Sequence, residues 1–248
     1  YHIGLTLDEL PSAPMSPEGS SYLSVLYNGM VHPFTIFPVK GVIWYQGEAN
    51  VGRARQYSLL FQSLIADWRK QWKQELPFYF VQLANYLRSQ EIQPDSKWAA
   101  LREAQSDALS MEGTGMVSAI DLGVAHDIHP KNKQEVGRRL ALLSLANTYQ
   151  RGTYDVPAFL EYRISGNKLI LSFDCEVKTA TGEPKGFIIA GPDQVFYQAT
   201  ATIQGKEVIL ESPEVEIPIA ARYGWADNPE CNLYGTAGLP VAPFRTDK

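Results

Sequence analysis

The chain has 248 residues, 45% of them hydrophobic, and a formal net charge of -5 at neutral pH. This length and apolar content suffice for one large buried core or two smaller ones, so the sequence is that of a globular protein. The negative charge, without any long Lys/Arg run, argues against nucleic acid or an anionic membrane as the main partner.

Strand and helix patterns alternate through the first half of the chain, after a Pro/Ser/Gly-rich lead at residues 10–22. The apolar run at residues 42–46 predicts a buried strand, and apolar residues at helical spacing predict a helix over residues 56–72. The same reasoning predicts, in order, a strand at 77–86, a helix at 98–109, a strand at 115–123 and a helix at 131–149. Strands joined by helical crossovers imply an α/β fold with a parallel sheet flanked by helices.

The second half of the chain has a different pattern, typical of antiparallel strands. The turn sequence "SGNK" at residues 165–168 separates two alternating runs. Further β-rich runs follow at residues 186–189, 194–203, 207–210 and 219–225. These patterns predict a small antiparallel β-sandwich, with an α/β domain at residues 1–150 and a β-rich domain at residues 151–248.

Polar side chains follow each of the three predicted parallel strands. In "GVIWYQGEAN" the first strand is followed by Gln46, Gly47, Glu48 and Asn50. The second strand delivers Gln82 and Asn85, and the third delivers Asp121 and then the sequence "HDIHP". Because ligands of open α/β sheets bind outside the carboxyl ends of the strands, we expect these residues to line one rim.

Asp127 and His129, in "DIHP", are the candidate catalytic pair. Pro130 is a residue type favoured at the first position of a helix, and a helix N-terminus disfavours an imidazolium. A neighbouring carboxylate can restore the basicity that a general base needs. An acid that orients an imidazole, which then takes a proton from a hydroxyl, makes up two thirds of an acyl-transfer triad. The amides and glycine after the first strand can supply donors to a developing oxyanion.

Each of these assignments has an alternative that the residues alone leave open. Asp127 could cap the following helix. His126, Asp127 and His129 could be metal ligands, although they lack the helical i, i+4 spacing of HExxH. Asn50 could satisfy loop backbone groups. Arg102, in "LREAQ", could bind a substrate carboxylate or act as a surface strut, and no acidic residue stands three or four positions from it.

Six long segments resemble the sialate O-acetylesterase family of SGNH-type carbohydrate esterases, and together they extend over residues 24–247. They are "SVLYNGMVHPF", "KGVIWYQGEAN", "FVQLANY", "LREAQ", "DIHPKNKQEVGRRLAL" and "ARYGWADNPECNLYGTAGLPVAPFRTD". The resemblance implies a partial SGNH-hydrolase-like sheet and an enzyme that removes O-acetyl groups from sialic acid or related sugars. It implies that His129 is the base, Asp127 its orienting acid and "QGEAN" the oxyanion block. No metal or cofactor is implied, and the substrate class implies a secreted, periplasmic or lysosomal-like location.

The sequence departs from the family pattern in three places. Ala49 replaces the serine of the usual "QGESN", and Asp127 precedes the histidine by two positions, whereas three are usual. The family's nucleophilic serine lies in an early block upstream of the matching segments, and Ser20 and Ser21 follow no predicted strand. We therefore expect the nucleophile on an N-terminal segment of the same protein outside this chain, which leaves the α/β domain incomplete at its N-terminus. A sheet edge would then be exposed unless that segment covers it. A non-catalytic glycan-binding protein is the other interpretation left open by the missing nucleophile.

Overall fold

The computed structural model describes residues 24–247. The lead at residues 10–22, with Ser20 and Ser21, lies outside the described residues. The described part begins with a π-helical turn at Tyr27–Val31 and a 3-10 turn at His32–Phe34. Within residues 24–247, no helix is both long enough and apolar enough to cross a lipid bilayer.

The first half of the structure alternates strands and helices, as predicted. The elements are β1 (Val42–Trp44), α1 (Ala54–Trp72), β2 (Phe78–Gln82), α2 (Lys97–Ser106), β3 (Thr114–Ser118) and α3 (Lys133–Asn147). The three strands form one parallel sheet in the order β1-β2-β3. The α/β class and the parallel sheet flanked by helices are therefore confirmed, although each strand is shorter than the sequence pattern indicated.

The sheet is covered on both faces at its central strand β2. Phe78 and Phe80 point to one face and pack in a cluster with residues of α1 and α2, among them Phe61. Tyr79 and Val81 point to the opposite face and pack in a cluster with residues of α3. This alternation follows from the two-residue period of a strand, and it accounts for the uninterrupted apolar run of β2.

The outer edge of β1 differs from the prediction of a buried strand. In the described part of the chain β1 pairs only with β2, and the side chain of Ile43 is 67% exposed. The preceding segment also exposes Phe34, Ile36 and Phe37. The apolar run was a correct signal for a strand, but burial depends on what lies on both sides of it.

The second half of the structure consists of antiparallel strands. They are β4 (Phe159–Ser165), β5 (Lys168–Phe173), β6 (Val177–Thr179), β7 (Phe187–Ala190), β8 (Phe196–Gln198), β9 (Thr200–Gln204), β10 (Glu207–Glu211), β11 (Ala220–Tyr223), β12 (Leu233–Gly235) and β13 (Phe244–Arg245). Two four-stranded sheets, β4-β5-β10-β9 and β13-β11-β7-β8, share one buried core, and β12 pairs with β6. The predicted sandwich is therefore confirmed.

Polar contacts join the β-rich half to α2 and to the segment that precedes it. The Asp227 carboxylate accepts hydrogen bonds from Gln93 Nε2 at 2.7 Å and from Ser96 Oγ at 2.6 Å. Arg245 forms two hydrogen bonds, at 3.0 and 2.7 Å, to the Glu103 carboxylate. The β-rich half therefore packs directly against the unit that carries the parallel sheet.

Candidate functional site

The segment after β1 is held by hydrogen bonds to the carbonyl oxygen of Gln46. Tyr57 Oη donates to this oxygen at 3.1 Å and Gln105 Nε2 donates to it at 3.2 Å. Gly47 is buried against Gln105, because an added Cβ would lie 3.1 Å from that amide nitrogen. The chain then enters the short 3-10 turn Glu48–Asn50. A residue without a side chain at position 47 therefore lets the segment pack closely against α2.

Gln82 and Asn85, at the end of β2, serve structural contacts. Gln82 is fully buried; its Nε2 donates to Ser106 Oγ at 3.0 Å and its Oε1 accepts from Ser118 Oγ at 3.0 Å. Asn85 Oδ1 accepts from the Gly123 amide at 2.7 Å. The expectation that both side chains line the rim is therefore wrong: Gln82 joins neighbouring elements, and Asn85 contacts the backbone after β3.

Asp121, after β3, is also engaged by protein groups. Arg139 in α3 donates to both of its carboxylate oxygens at 2.7 Å. Tyr234 Oη donates to Asp121 Oδ2 at 3.1 Å. Asp121 therefore ties the end of β3 to α3 and to β12, and it is not a free rim carboxylate.

Asp127 contacts His129 through the backbone and lies close to its ring. Asp127 Oδ1 accepts from the His129 amide at 2.9 Å and lies 3.6 Å from His129 Nδ1. The hydrogen bond from this amide lowers the pKa of Asp127, against the opposing effect of partial burial. The carboxylate is therefore ionised at neutral pH beside an imidazole whose side chain is 87% exposed. The 3.6 Å separation is longer than a hydrogen bond, and contacts of catalytic pairs often shorten only when substrate binds.

The helix after this pair begins later than predicted. α3 starts at Lys133, and Asn132 Oδ1 accepts from the Glu135 amide at 3.1 Å, so Asn132 is the N-cap. The alternative in which Asp127 caps the helix is therefore wrong, as is the placement of Pro130 at its first position. The carboxylate of Asp127 instead accepts from the His129 amide and lies 3.6 Å from the ring nitrogen Nδ1.

A groove of about 360 Å³ brings the end of β1 together with His129. It is lined by Tyr45, Gln46, Glu48, Ala49, Ile128, His129, Pro130 and Lys133. Gly47 is buried and does not belong to the lining. Asn50 lies outside the lining, and its amide donates to the Gly47 carbonyl at 2.8 Å. Of the five oxyanion and substrate-binding candidates, the structure thus places Gln46 and Glu48 in the groove with His129.

Tyr45 and Lys133 belong to this groove and were not singled out from the sequence. Lys133 Nζ lies 4.6 Å from the centre of the Tyr45 ring, within cation–π range. Burial, with a smaller contribution from the Glu48 carboxylate, raises the pKa of Tyr45 to about 12. The sequence signal that could have identified Tyr45 as a groove residue is its position directly before Gln46. For Lys133 no comparable signal exists, because its place depends on where α3 begins.

Arg102 lies away from the groove, in the contact between the two halves of the structure. Its side chain is fully buried and donates to the carbonyl oxygens of Leu83 (2.9 Å), Ala84 (2.8 Å), Ala226 (2.7 Å) and Asp227 (2.9 Å). The interpretation of Arg102 as a surface strut is therefore wrong. Its predicted contact with a substrate carboxylate is incompatible with this geometry, since the guanidinium is enclosed and already hydrogen-bonded to backbone.

The metal-binding alternative finds no ligand set in the described part of the chain. Across residues 24–247, no group of three or more His, Cys, Asp and Glu side chains is placed to hold a metal ion. His126, Asp127 and His129 are close in sequence but do not form such a group.

Comparison with known proteins decides the family. The family described as "Carbohydrate esterase, sialic acid-specific acetylesterase" matches residues 16–146, more than half of the chain. The chain belongs to this acetylesterase family. The sialate O-acetylesterase of Mus musculus is 31% identical over 91% of this chain, and that of Homo sapiens is 29% identical over 92%. The resemblance predicted from the six segments is therefore confirmed.

The chain corresponds to part of its acetylesterase relatives. It spans about half the length of the curated relatives it matches, 48% of the mouse protein and 50% of the human protein. A crystal structure of a carbohydrate acetylesterase from Xanthomonas citri has 45% sequence identity and a TM-score of 0.85, and the match covers 90% of this chain and 54% of that one. The SGNH-type fold inferred from the sequence agrees with that structure.

Proposed function

We propose that the protein containing this chain removes O-acetyl groups from sialic acid or a related acetylated sugar. The observation that carries the proposal is the groove in which His129, with the Asp127 carboxylate 3.6 Å from its ring nitrogen, lies with Gln46 and Glu48 from a different strand end. The named activity of the relatives supports the same reaction class. Action on acetylated glycans fits a secreted, periplasmic or lysosomal-like location, which we include in the proposal.

The proposed reaction is a double displacement with a serine nucleophile. The serine, on an N-terminal segment outside this chain, attacks the acetyl carbonyl while His129 accepts its proton. His129 then returns the proton to the sugar oxygen, which leaves as a hydroxyl and yields an acetyl-enzyme. Water activated by the same imidazole releases acetate and regenerates the serine. Asp127 is the positioning carboxylate, and the hydrogen bond from the His129 amide lowers its pKa.

The segment after β1 supplies the proposed oxyanion donors. Gln46 lines the groove, and Gly47 and Asn50 belong to the same turn, which the Asn50 amide closes by donating to the Gly47 carbonyl at 2.8 Å. Donors that are already fixed stabilise a developing oxyanion without reorganisation during the reaction. Glu48 faces the groove as well, where we assign it to holding the loop and to contacts with substrate hydroxyls.

An N-terminal segment of the same protein is the proposed partner for the open edge of β1. The exposed side chain of Ile43 and the exposed apolar residues before β1 form a surface that another strand would cover.

Inhibition of the natural-length protein distinguishes this proposal from its rivals. With p-nitrophenyl acetate as substrate, we expect a serine-directed fluorophosphonate to abolish turnover and a chelator to leave it intact. Inactivation by the chelator alone would support a metal-dependent hydrolase. Saturable glycan binding without any turnover would support a binding protein.

A pair of histidine variants then tests the assignment of the base. His129→Ala should lose at least about 1,000-fold in kcat. His126→Ala is the matched control, because this exposed histidine lies in the same loop but outside the groove lining. Equal losses in both variants would contradict the assignment of His129.

A further inference from the structure

The loop that carries Asp127 and His129 contacts the β-rich half at its base. This β3–α3 loop comprises residues 119–132, between β3 and α3. Its central turn is closed by the Asp127 amide, which donates to the Val124 carbonyl at 3.2 Å. His129, near its end, is largely exposed. Beside His129, Ile128 packs against the core cluster of α1 and α2 and Pro130 is buried, so this end of the loop is held by packing and the other end by the contacts at its base.

The first contact at the base runs from Gly123 to the segment after β11. The Gly123 amide donates to Asn85 Oδ1 at 2.7 Å. Asn85 Nδ2 donates in turn to Asn228 Oδ1 at 2.6 Å, and Asn228 Nδ2 donates to the Leu87 carbonyl at 2.6 Å. Gly123 approaches so closely that an added Cβ would lie 1.8 Å from the Asn85 carbonyl oxygen. Asn228 therefore fixes the side chain of Asn85, which in turn holds the loop at Gly123.

The second contact runs from Asp121 to β12. Tyr234 Oη donates to Asp121 Oδ2 at 3.1 Å, and the same carboxylate is held by Arg139. Burial, then the charge of Asp121, raises the pKa of Tyr234 to about 12, so the phenol keeps its proton at neutral pH. Asn228 and Tyr234 make these two contacts separately, and both residues belong to the β-rich half.

We propose that the β-rich half positions the catalytic loop, with Asn228 and Tyr234 as positioning residues for His129. The proposal rests on the proposed function, because it assigns the loop a catalytic role. It gives the β-rich half a task in the reaction: Asn228 and Tyr234 restrict the position of the imidazole relative to Gln46 and the groove without touching substrate.

Amide hydrogen exchange tests the positioning without needing activity. In the natural-length protein, Tyr234→Phe and Asn228→Ala should each speed exchange of peptides covering residues 119–130 by roughly 5-fold, the effect of one lost hydrogen bond. Tyr162→Phe is the control, since this exposed tyrosine lies in the same half, on β4. Unchanged exchange in both test variants, with native folding shown by an unaltered melting curve, would overturn the proposal.

Steady-state kinetics tests whether the positioning serves the reaction. Both test variants should lower kcat by about 5- to 20-fold with KM nearly unchanged, because positioning acts on the transition state. Asn228→Asp, which keeps the acceptor for Asn85, should recover part of the loss. Faster exchange with unchanged kcat would overturn the catalytic role of the contact. A wild-type protein without turnover would instead refute the proposed function, and the exchange result would still decide whether these contacts hold the loop.

Discussion

Replacing Arg102 by Met tests whether this residue has a structural role and not a role in substrate binding. Arg102→Met removes the donor to four backbone carbonyls. Among the described residues, the Asp227 oxygen also accepts from the Tyr86 amide at 3.1 Å, whereas the other three carbonyls lose the donor. At about 1 to 1.5 kcal/mol for each unsatisfied buried acceptor, we expect a loss of roughly 3 to 4.5 kcal/mol in the free energy of unfolding.

Thermal unfolding measures this effect directly. For a chain of this size, about 2 to 4 °C is lost per kcal/mol, so the melting temperature should fall by roughly 6 to 18 °C. Arg163→Met is the matched control, because the exposed Arg163 pairs with Glu207 at the surface and its replacement should leave the melting temperature nearly unchanged. A wild-type melting temperature for Arg102→Met, combined with lost substrate binding, would refute this reasoning and restore the sequence-based interpretation.

Three further predictions follow from the loop, from α3 and from the catalytic pair. Gly123→Ala should destabilise the protein by at least about 2 kcal/mol, because its Cβ would overlap the Asn85 carbonyl. Gly137→Ala should stabilise the protein by about 0.5 to 1 kcal/mol, because this glycine lies in open space on α3. Chemical denaturation measures both changes. Hydrogen bonds from Arg138 lower the pKa of Glu135 to about 2. The contribution of the ionised Glu135 to the free energy of unfolding is therefore present above about pH 4.5 and lost as the pH falls through about 2. Glu135→Gln should therefore be less stable than wild type at neutral pH by about 1 kcal/mol, and melting curves that fail to converge near pH 2 would contradict this. Asp127→Asn should lower kcat by about 100- to 10,000-fold in an ester hydrolysis assay without lowering the melting temperature, since it removes only the orienting charge beside an exposed histidine.

The element types and the family were predictable because they depend on local patterns. The alternation of apolar runs with helical spacing identified the three parallel strands, and the long motifs around Gln46 and His129 identified the family. Both signals lie within short stretches of sequence. Local periodicity therefore sufficed for the order of the elements.

The partners of individual polar residues were not predictable, because they depend on contacts distant in sequence. Arg102 had no acidic residue three or four positions away on its helix, and its acceptors near Asp227 lie 124 and 125 positions away. Asp121 and Asn85 stood at strand ends like ligand-binding residues, yet Tyr234 and Asn228 contact them. Only the packing of the β-rich half against the parallel sheet separates these structural residues from the groove residues.

Acetate release from an O-acetylated sialic acid by the natural-length protein tests the central claim most directly. Wild type and His129→Ala would be compared at equal concentration, with His126→Ala as control. The account predicts acetate release by wild type and His126→Ala and a loss of at least about 1,000-fold in His129→Ala. Undiminished release by His129→Ala would contradict the assignment of the groove as the catalytic centre.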